Sequence, residues 1–230
     1  MNALKTSLLV AAATVAMGGV ALADDAATPS VTFNVGAATD YVFRGISQTD
    51  EAGQIFGGAD VSYGMGYGGV WLSNVDFNNG TTMEYDIYAG VKPTVGPVSL
   101  DLGVIYYGYG DKPSGPDEAY WEAKVAGSVA AGKGTIGAAV YYSPEFPFKT
   151  GEATYVEVNG SMPLDDKWSV SGAVGHQSVV GPADYTTWNL GVGYAINSHV
   201  GVDLRYWDTD EHGFGKIFDS RAVLGIKATF

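Results

Sequence analysis

Alternation between apolar and polar residues is the feature that most constrains the fold of this chain. In the last segment, apolar side chains occupy every second position: Ala222, Leu224, Ile226, Ala228 and Phe230. Side chains of a β-strand point alternately to its two faces, so the pattern predicts a strand with one apolar face. Eleven earlier segments resemble it, near residues 31–44, 54–63, 68–77, 83–92, 98–108, 120–130, 135–142, 154–162, 168–176, 188–196 and 200–207.

Twelve segments predict an all-β fold, a transmembrane antiparallel up-and-down β-barrel, because single-chain bacterial barrels have an even number of strands. Long connections, predicted at 48–53, 78–82, 110–119, 144–151, 177–186 and 208–220, alternate with short turns at 64–67, 93–97, 131–134, 163–167 and 197–199. In such barrels both termini lie on the periplasmic side. A soluble antiparallel barrel or sandwich also alternates and remains the alternative. The Val70-Trp71-Leu72 run leaves the register of the 54–77 hairpin open.

The first 23 residues have the organisation of a cleaved signal peptide. Lys5 precedes an apolar stretch at 8–20, and Ala21-Leu22-Ala23 gives the pattern of small residues that precedes a cleavage site. The mature domain would be an outer-membrane barrel over residues 24–230. The formal net charge of −13 argues against a nucleic-acid partner. The absence of cysteine excludes disulfides and thiolate metal sites, and we predict no cofactor and no metal site.

Charged residues within one predicted strand share one face. Asp40 points to the same face as Arg44, Glu84 to the same face as Asp86, and Asp203 to the same face as Arg205. This holds whichever face is called outward. A charged side chain that faced lipid at the membrane midplane would cost about 2–4 kcal/mol, so this face should line the lumen. The predicted lining residues are Asp40, Arg44, Asp60, Glu84, Asp86, Tyr88, Lys92, Asp101, Tyr107, Glu122, Lys124, Tyr141, Tyr155, Glu157, Asp203, Arg205 and Lys227.

Eight acids and five bases in this set predict a mildly acidic lumen that favours cations or neutral polar solutes. The alternative is a plugged interior in which the same charges form ion pairs. Eight strands can be filled by side chains and sixteen enclose a channel, so twelve strands favour a narrow pore. We expect Glu84 and Asp86 toward the outer side of one strand and Asp101 nearer the periplasm on the next. Lys92 is the only base on these two strands, so their lining should be net negative.

The chain stops at Phe230, on an outward position of its last strand. A terminal aromatic residue is the usual assembly signal of outer-membrane barrels. The expected partners are therefore the barrel-assembly machinery, outer-membrane lipids and lipopolysaccharide, and small polar solutes.

Beginning at Thr39, the chain reads Thr-Asp-Tyr-Val-Phe-Arg-Gly-Ile-Ser-Gln-Thr-Asp. This segment resembles the N-terminal signature of the TorF-type family of small outer-membrane porins, once described as conserved hypothetical proteins. Further similarity lies at 71–76, 84–90, 184–188 and in the C-terminal strand. The resemblance covers nearly all of the mature chain and implies a barrel with a porin role.

Two other functions fit parts of the sequence. His176-Gln177-Ser178 followed by Asn189 is similar to the catalytic pattern of outer-membrane phospholipases. The alternation, however, places His176 among outward-facing residues and Asn189 among inward-facing ones. We therefore predict no enzymatic activity. Acidic runs at 50–51, 117–118 and 208–211 allow a structural or adhesive barrel, or divalent-cation binding, although none has the spacing of a calcium loop.

Overall fold

The computed structural model describes residues 28–111, 118–181 and 184–230. Twelve long strands form its wall: β1 Ser30–Ala38, β2 Gln54–Tyr63, β3 Gly66–Asn74, β4 Met83–Val91, β5 Val98–Gly110, β6 Tyr120–Ala131, β7 Gly134–Ser143, β8 Ala153–Pro163, β9 Trp168–Val179, β10 Tyr185–Ala195, β11 Val200–Thr209 and β12 Arg221–Thr229. Three single-turn 3-10 helices lie at Pro147–Lys149, His212–Phe214 and Lys216–Phe218. No helix in these ranges is long and apolar enough to cross a membrane. The predicted signal peptide lies outside the described residues.

Each long strand pairs antiparallel with its sequence neighbours, and β1 also pairs with β12. This last pairing runs from Asn34 opposite Thr229 to Ala38 opposite Gly225 and closes the sheet. A closed sheet has no unpaired edge, so every strand satisfies its backbone hydrogen bonds within the wall. The predicted twelve-stranded antiparallel barrel is confirmed.

The barrel is apolar outside and polar inside. In β8, Val156 and Val158 are 46% and 57% exposed, whereas the intervening Tyr155 and Glu157 are 2% and 6% exposed. A soluble protein would bury the valines and expose the glutamate. The inverted pattern belongs to a barrel whose outer surface faces lipid.

The turns at one end are short, at 64–65, 132–133, 164–167 and 196–199, and most connections at the other end are longer. One predicted long loop was wrong. The connection predicted at 177–186 spans only 180–184, because β9 continues to Val179 and β10 begins at Tyr185. It is no longer than the opposite connection at 92–97, so the alternation of lengths is less regular than predicted. The 110–119 loop lies partly outside the described residues.

Two strand predictions near the N-terminus need correction. The predicted 31–44 strand ends at Ala38, so Asp40 and Arg44 do not lie in a wall strand. The third strand ends at Asn74 rather than at residue 77. The sequence left the register of the 54–77 hairpin open. In the structure Ala59 lies opposite Val70, and Val70 is exposed on the outer surface.

Candidate functional site

Residues 39–53, here called the inner hairpin, fold back into the barrel instead of extending its first strand. Within them, Val42–Phe43 pairs with Ile46–Ser47 as a separate two-stranded sheet. Arg44 and Gly45 form the turn, with φ of 50° and 87°. Positive φ at both central positions is what a two-residue hairpin turn requires. A Cβ atom on Gly45 would collide with the Thr187 side chain, so glycine also permits close approach to the wall.

Asp40 fixes the base of the inner hairpin. Its Oδ1 atom accepts hydrogen bonds from Ser47 Oγ and Thr49 Oγ1, both at 2.8 Å. Its Oδ2 atom lies 2.8 Å from Arg221 Nη1, at the start of β12. Asp40 therefore joins the two arms of the hairpin to the wall.

Arg44 holds the tip of the inner hairpin against the far wall. Its two terminal nitrogens donate to both carboxylate oxygens of Glu122 at 2.8 and 2.7 Å, and Nη1 also donates to Gln177 Oε1 at 3.0 Å. The guanidinium lies 4.8 and 4.4 Å from the ring centres of Tyr141 and Tyr155. A bidentate carboxylate contact and flanking aromatic rings suit a planar guanidinium, and they fix its position.

Other hairpin residues reach the remaining sides of the lumen. Tyr41 donates its hydroxyl to Glu84 Oε1 at 2.7 Å, and its ring packs edge-on against Trp71. Phe43 packs edge-on against Tyr107, with ring centres 5.8 Å apart. Val42 packs with Trp207 and Val223 on the opposite wall. The inner hairpin thus crosses the lumen from wall to wall and narrows it.

Three buried acids lie beside the inner hairpin. Glu84, Asp86 and Glu122 are 2%, 2% and 1% exposed. Glu122 pairs with Arg44, and Glu84 accepts hydrogen bonds from Tyr41 and Tyr109. Asp86 Oδ1 has no hydrogen-bond partner among the described residues. This group contains three buried carboxyls and one guanidinium.

Toward the short turns the charged residues of the lumen are half-buried, except Lys124, which is 6% exposed. Lys124 pairs with Asp101 at 2.7 Å, and Tyr67 donates to the other oxygen of that carboxylate at 2.7 Å. Tyr88 donates to Asp60. Lys92 Nζ lies 4.6 Å from the ring centre of Tyr67, and Lys227 is also half-buried near this end.

Two more polar groups lie on the lumen face of the wall, around Arg205 on β11 and Glu157 on β8. Arg205 contacts Asp203 at 3.1 Å, Asn189 Oδ1 at 2.6 Å and Ser171 Oγ at 2.7 Å. Glu157 accepts from Tyr155 and Asn159 at 3.0 and 2.9 Å. These charges are bonded to other side chains of the wall, whereas the inner hairpin crosses the lumen.

Several site residues were missed at the level of sequence. They belong to the inner hairpin or to the wall it touches: Tyr41, Val42, Phe43, Trp71, Gln177, Trp207 and Arg221. One signal could have revealed the hairpin, since Arg44-Gly45 lies between the short segments Val42-Phe43 and Ile46-Ser47 in the manner of a tight turn.

With this geometry established, the chain can be placed among known proteins. Residues 23–230 match the profile of a family described as "Bacterial protein of unknown function (Gcw_chp)". The chain belongs to this family. No curated protein matches it. The family description gives no activity, so the porin role is implied only by the TorF-type resemblance.

Solved porins share the fold of this Gcw_chp chain. The KdgM porin has a TM-score of 0.59 at 9% identity, covering 86% of this chain and 99% of that one. The KdgM porin in complex with disordered oligogalacturonate gives 0.61 at 8%, covering 88% and 99%. The NanC porin gives 0.58 at 10%, covering 87% and 99%. At these identities the similarity concerns the barrel fold.

The structure does not bring the phospholipase-like residues of the Gcw_chp chain together. His176 is exposed on the outer surface, where its Nδ1 atom lies 3.2 Å from Thr186 Oγ1. Asn189 lies on the inner surface, where its Oδ1 atom accepts from Arg205. A base and the group that orients it must be in hydrogen-bond contact, and these two side chains lie on opposite faces of the wall.

The acidic loop residues mostly bond to neighbouring side chains. Asp50 pairs with Lys216 at 2.8 Å, and this hydrogen bond lowers the pKa of Asp50 below its ordinary value. Glu118 accepts from Asn79 and Thr81. In the part of the chain that the structure describes, no three acidic, histidine or cysteine side chains are arranged to hold a metal ion. Asp117 lies outside that part.

Proposed function

We propose that the protein is a porin of the TorF type, through which small hydrophilic solutes or ions diffuse passively across the outer membrane. The observation that carries the proposal is a polar, charged lumen inside an apolar barrel, narrowed by the inner hairpin. A charged interior has no role in a barrel that is only an anchor, whereas a constriction with charged walls selects among solutes. Acids outnumber bases in the predicted lining, which favours cations or neutral solutes.

The inner hairpin limits the width of the proposed route for solutes through the lumen. Its tip residues contact opposite walls, so solutes must pass beside Arg44 or wait for the hairpin to move. One solved neighbour is described in complex with oligogalacturonate, which is a polyanion. The acidic lining of this chain makes such a solute a poor candidate here, because buried carboxylates repel it.

Swelling of liposomes that contain the refolded protein tests the proposal. We expect slow entry of small neutral solutes such as glycerol or arabinose, and much slower entry of disaccharides and of anionic sugars. Liposomes with heat-unfolded protein are the control. Swelling rates equal to this control for every solute, with the barrel folded, would contradict the proposal.

A structural or adhesive barrel is the second candidate, and the inner hairpin is the observation that favours it. Contacts from Tyr41, Val42 and Arg44 to opposite walls can close the lumen and stiffen the barrel. The two functions differ in flux: the structural barrel passes no solute at any size, and the porin passes the smallest.

We further propose that residues 1–23 direct export and that the barrel inserts with its termini and short turns on the periplasmic side. Outer-membrane lipids and lipopolysaccharide would surround the apolar outer face, and the barrel-assembly machinery would recognise the C-terminal strand.

Single cysteines can test this orientation, because the natural chain contains none. Gly213 lies in the 210–220 loop with open space around it, and Val95 is 62% exposed in the 92–97 turn. On intact cells we expect a membrane-impermeant maleimide to label Gly213→Cys and to spare Val95→Cys until the outer membrane is permeabilised. The opposite labelling pattern would reverse the orientation.

Phe230 should be needed for assembly. It is 67% exposed beyond β12, and its backbone pairs with Phe33 at 2.9 and 3.0 Å. Phe230→Asp places a charge where an aromatic side chain meets the membrane interface, so we expect several-fold less protein in the outer membrane. Phe230→Tyr is the matched control and should accumulate normally. Equal amounts of the Asp variant would show that Phe230 is not the assembly signal.

A further inference from the structure

Asp86 differs from the other acids buried in the lumen. Glu84 accepts two tyrosine hydroxyls, and Glu122 accepts both terminal nitrogens of Arg44. Asp86 is equally buried, at 2% exposure, but its Oδ1 atom has no partner among the described residues. Leaving a buried polar oxygen unbonded is costly, so this oxygen is the one acid atom of the group that is available to a ligand.

The surroundings of Asp86 select a cation. Glu84 lies two residues away on the same strand, and its side chain points to the same side of the wall about 7 Å along. The Arg44 guanidinium is bonded to Glu122, and Lys124 is bonded to Asp101. Two buried carboxylates side by side repel each other, and a cation placed between them removes that repulsion.

Aromatic residues flank Asp86 in the sheet. Asp86 lies directly opposite Trp71 on β3 and Tyr107 on β5, and Tyr88 follows it on the same face of β4. Their electron-rich faces and phenolic oxygens attract a cation without adding charge. A divalent ion would need more charged ligands, and the described residues offer no group of three that could hold a metal ion.

We propose that Asp86 and Glu84 bind one small monovalent cation on the lumen wall beside the inner hairpin. The site deepens the proposed porin function and rests on it, because such an ion would lie on the path of permeating cations. Weak binding by few ligands suits a path, since an ion must leave as readily as it enters.

Rubidium is the probe, because its anomalous X-ray scattering locates it without ambiguity. Crystals of the full mature barrel would be grown with rubidium chloride as the only salt, for the wild type, Asp86→Asn and Glu157→Gln. Glu157 is the matched control, a lumen acid at 6% exposure whose two oxygens are already bonded. We expect a rubidium peak in contact with Asp86 Oδ1 in the wild type and in Glu157→Gln, and its loss in Asp86→Asn.

Two results would overturn the site. One is a wild-type crystal without a peak at Asp86, which is the outcome if a proton neutralises that carboxyl. The other is an unchanged peak in Asp86→Asn. If that variant fails to fold, Asp86→Ser replaces it, and the wild-type map is decisive by itself. The crystal result is independent of flux: a peak in a barrel that passes no solute keeps the site and rejects the porin, whereas flux without a peak does the reverse.

Discussion

Replacing residues 40–51 by a short Gly–Ser linker is expected to raise the permeability of the barrel several-fold. Ala38 and Gln54 are directly paired at the ends of β1 and β2, so a short linker can close the connection. The change removes Tyr41, Val42 and Arg44 from the lumen together with their contacts to both walls. Liposome swelling in disaccharides, which should enter through the natural chain only very slowly, should then become fast.

The control for this prediction is a shortened loop outside the lumen. Removing Phe148–Thr150 from the 144–152 loop shortens an exposed connection, and the hydrogen bonds of Thr150 stay within that loop, so the inner hairpin keeps its contacts. Its permeability should match that of the natural chain. If the hairpin-free variant folds and its permeability also stays unchanged, the inner hairpin is not the constriction.

Arg44→Ala should have the largest effect on stability of any single substitution in the inner hairpin. The side chains of Arg44 and Glu122 are 3% and 2% exposed, so the variant leaves a buried carboxylate without its cation. Losing one partner of a buried ion pair costs about 3–5 kcal/mol. Urea unfolding in lipid vesicles, followed by tryptophan fluorescence, measures the change.

Two further variants test whether the unpaired buried charge causes the loss of stability in Arg44→Ala. Lys216→Ala breaks an exposed pair with Asp50 and should change the free energy of unfolding by less than about 1 kcal/mol. Arg44→Met combined with Glu122→Gln leaves neither charge buried and should recover much of the lost stability. An Arg44→Ala variant as stable as the natural chain would show that the tip of the inner hairpin is not held as described.

The wall of the barrel could be predicted from sequence because the alternation within each strand assigns its side chains to two faces. In β12 every second side chain from Ala222 to Phe230 is apolar, and this pattern needs no knowledge of distant residues. The ends of strands were harder to predict. The 177–186 segment was taken as a long loop, although Gln177 pairs with Tyr185 inside the sheet.

The inner hairpin could not be predicted in this way. Alternation continues from Ala37 through Tyr41 and Phe43, as it would in a longer membrane strand. What turns the chain inward is a set of distant contacts: Arg44 meets Glu122 and Gln177, which follow it by 78 and 133 residues. A local pattern has no information about these pairings. The local backbone of the inner hairpin differs from that of a strand at Arg44, Gly45, Asp50 and Glu51, which all have positive φ.

Single-channel recording of the refolded natural protein in planar bilayers tests the central claim most directly. A lumen narrowed but left open by the inner hairpin predicts small, steady current steps. Under a potassium chloride gradient, their reversal potential should show a preference for potassium over chloride that weakens as salt screens the lumen charges. Silent bilayers, after the folded barrel is shown to have inserted, would contradict the claim and identify the protein as a closed structural barrel.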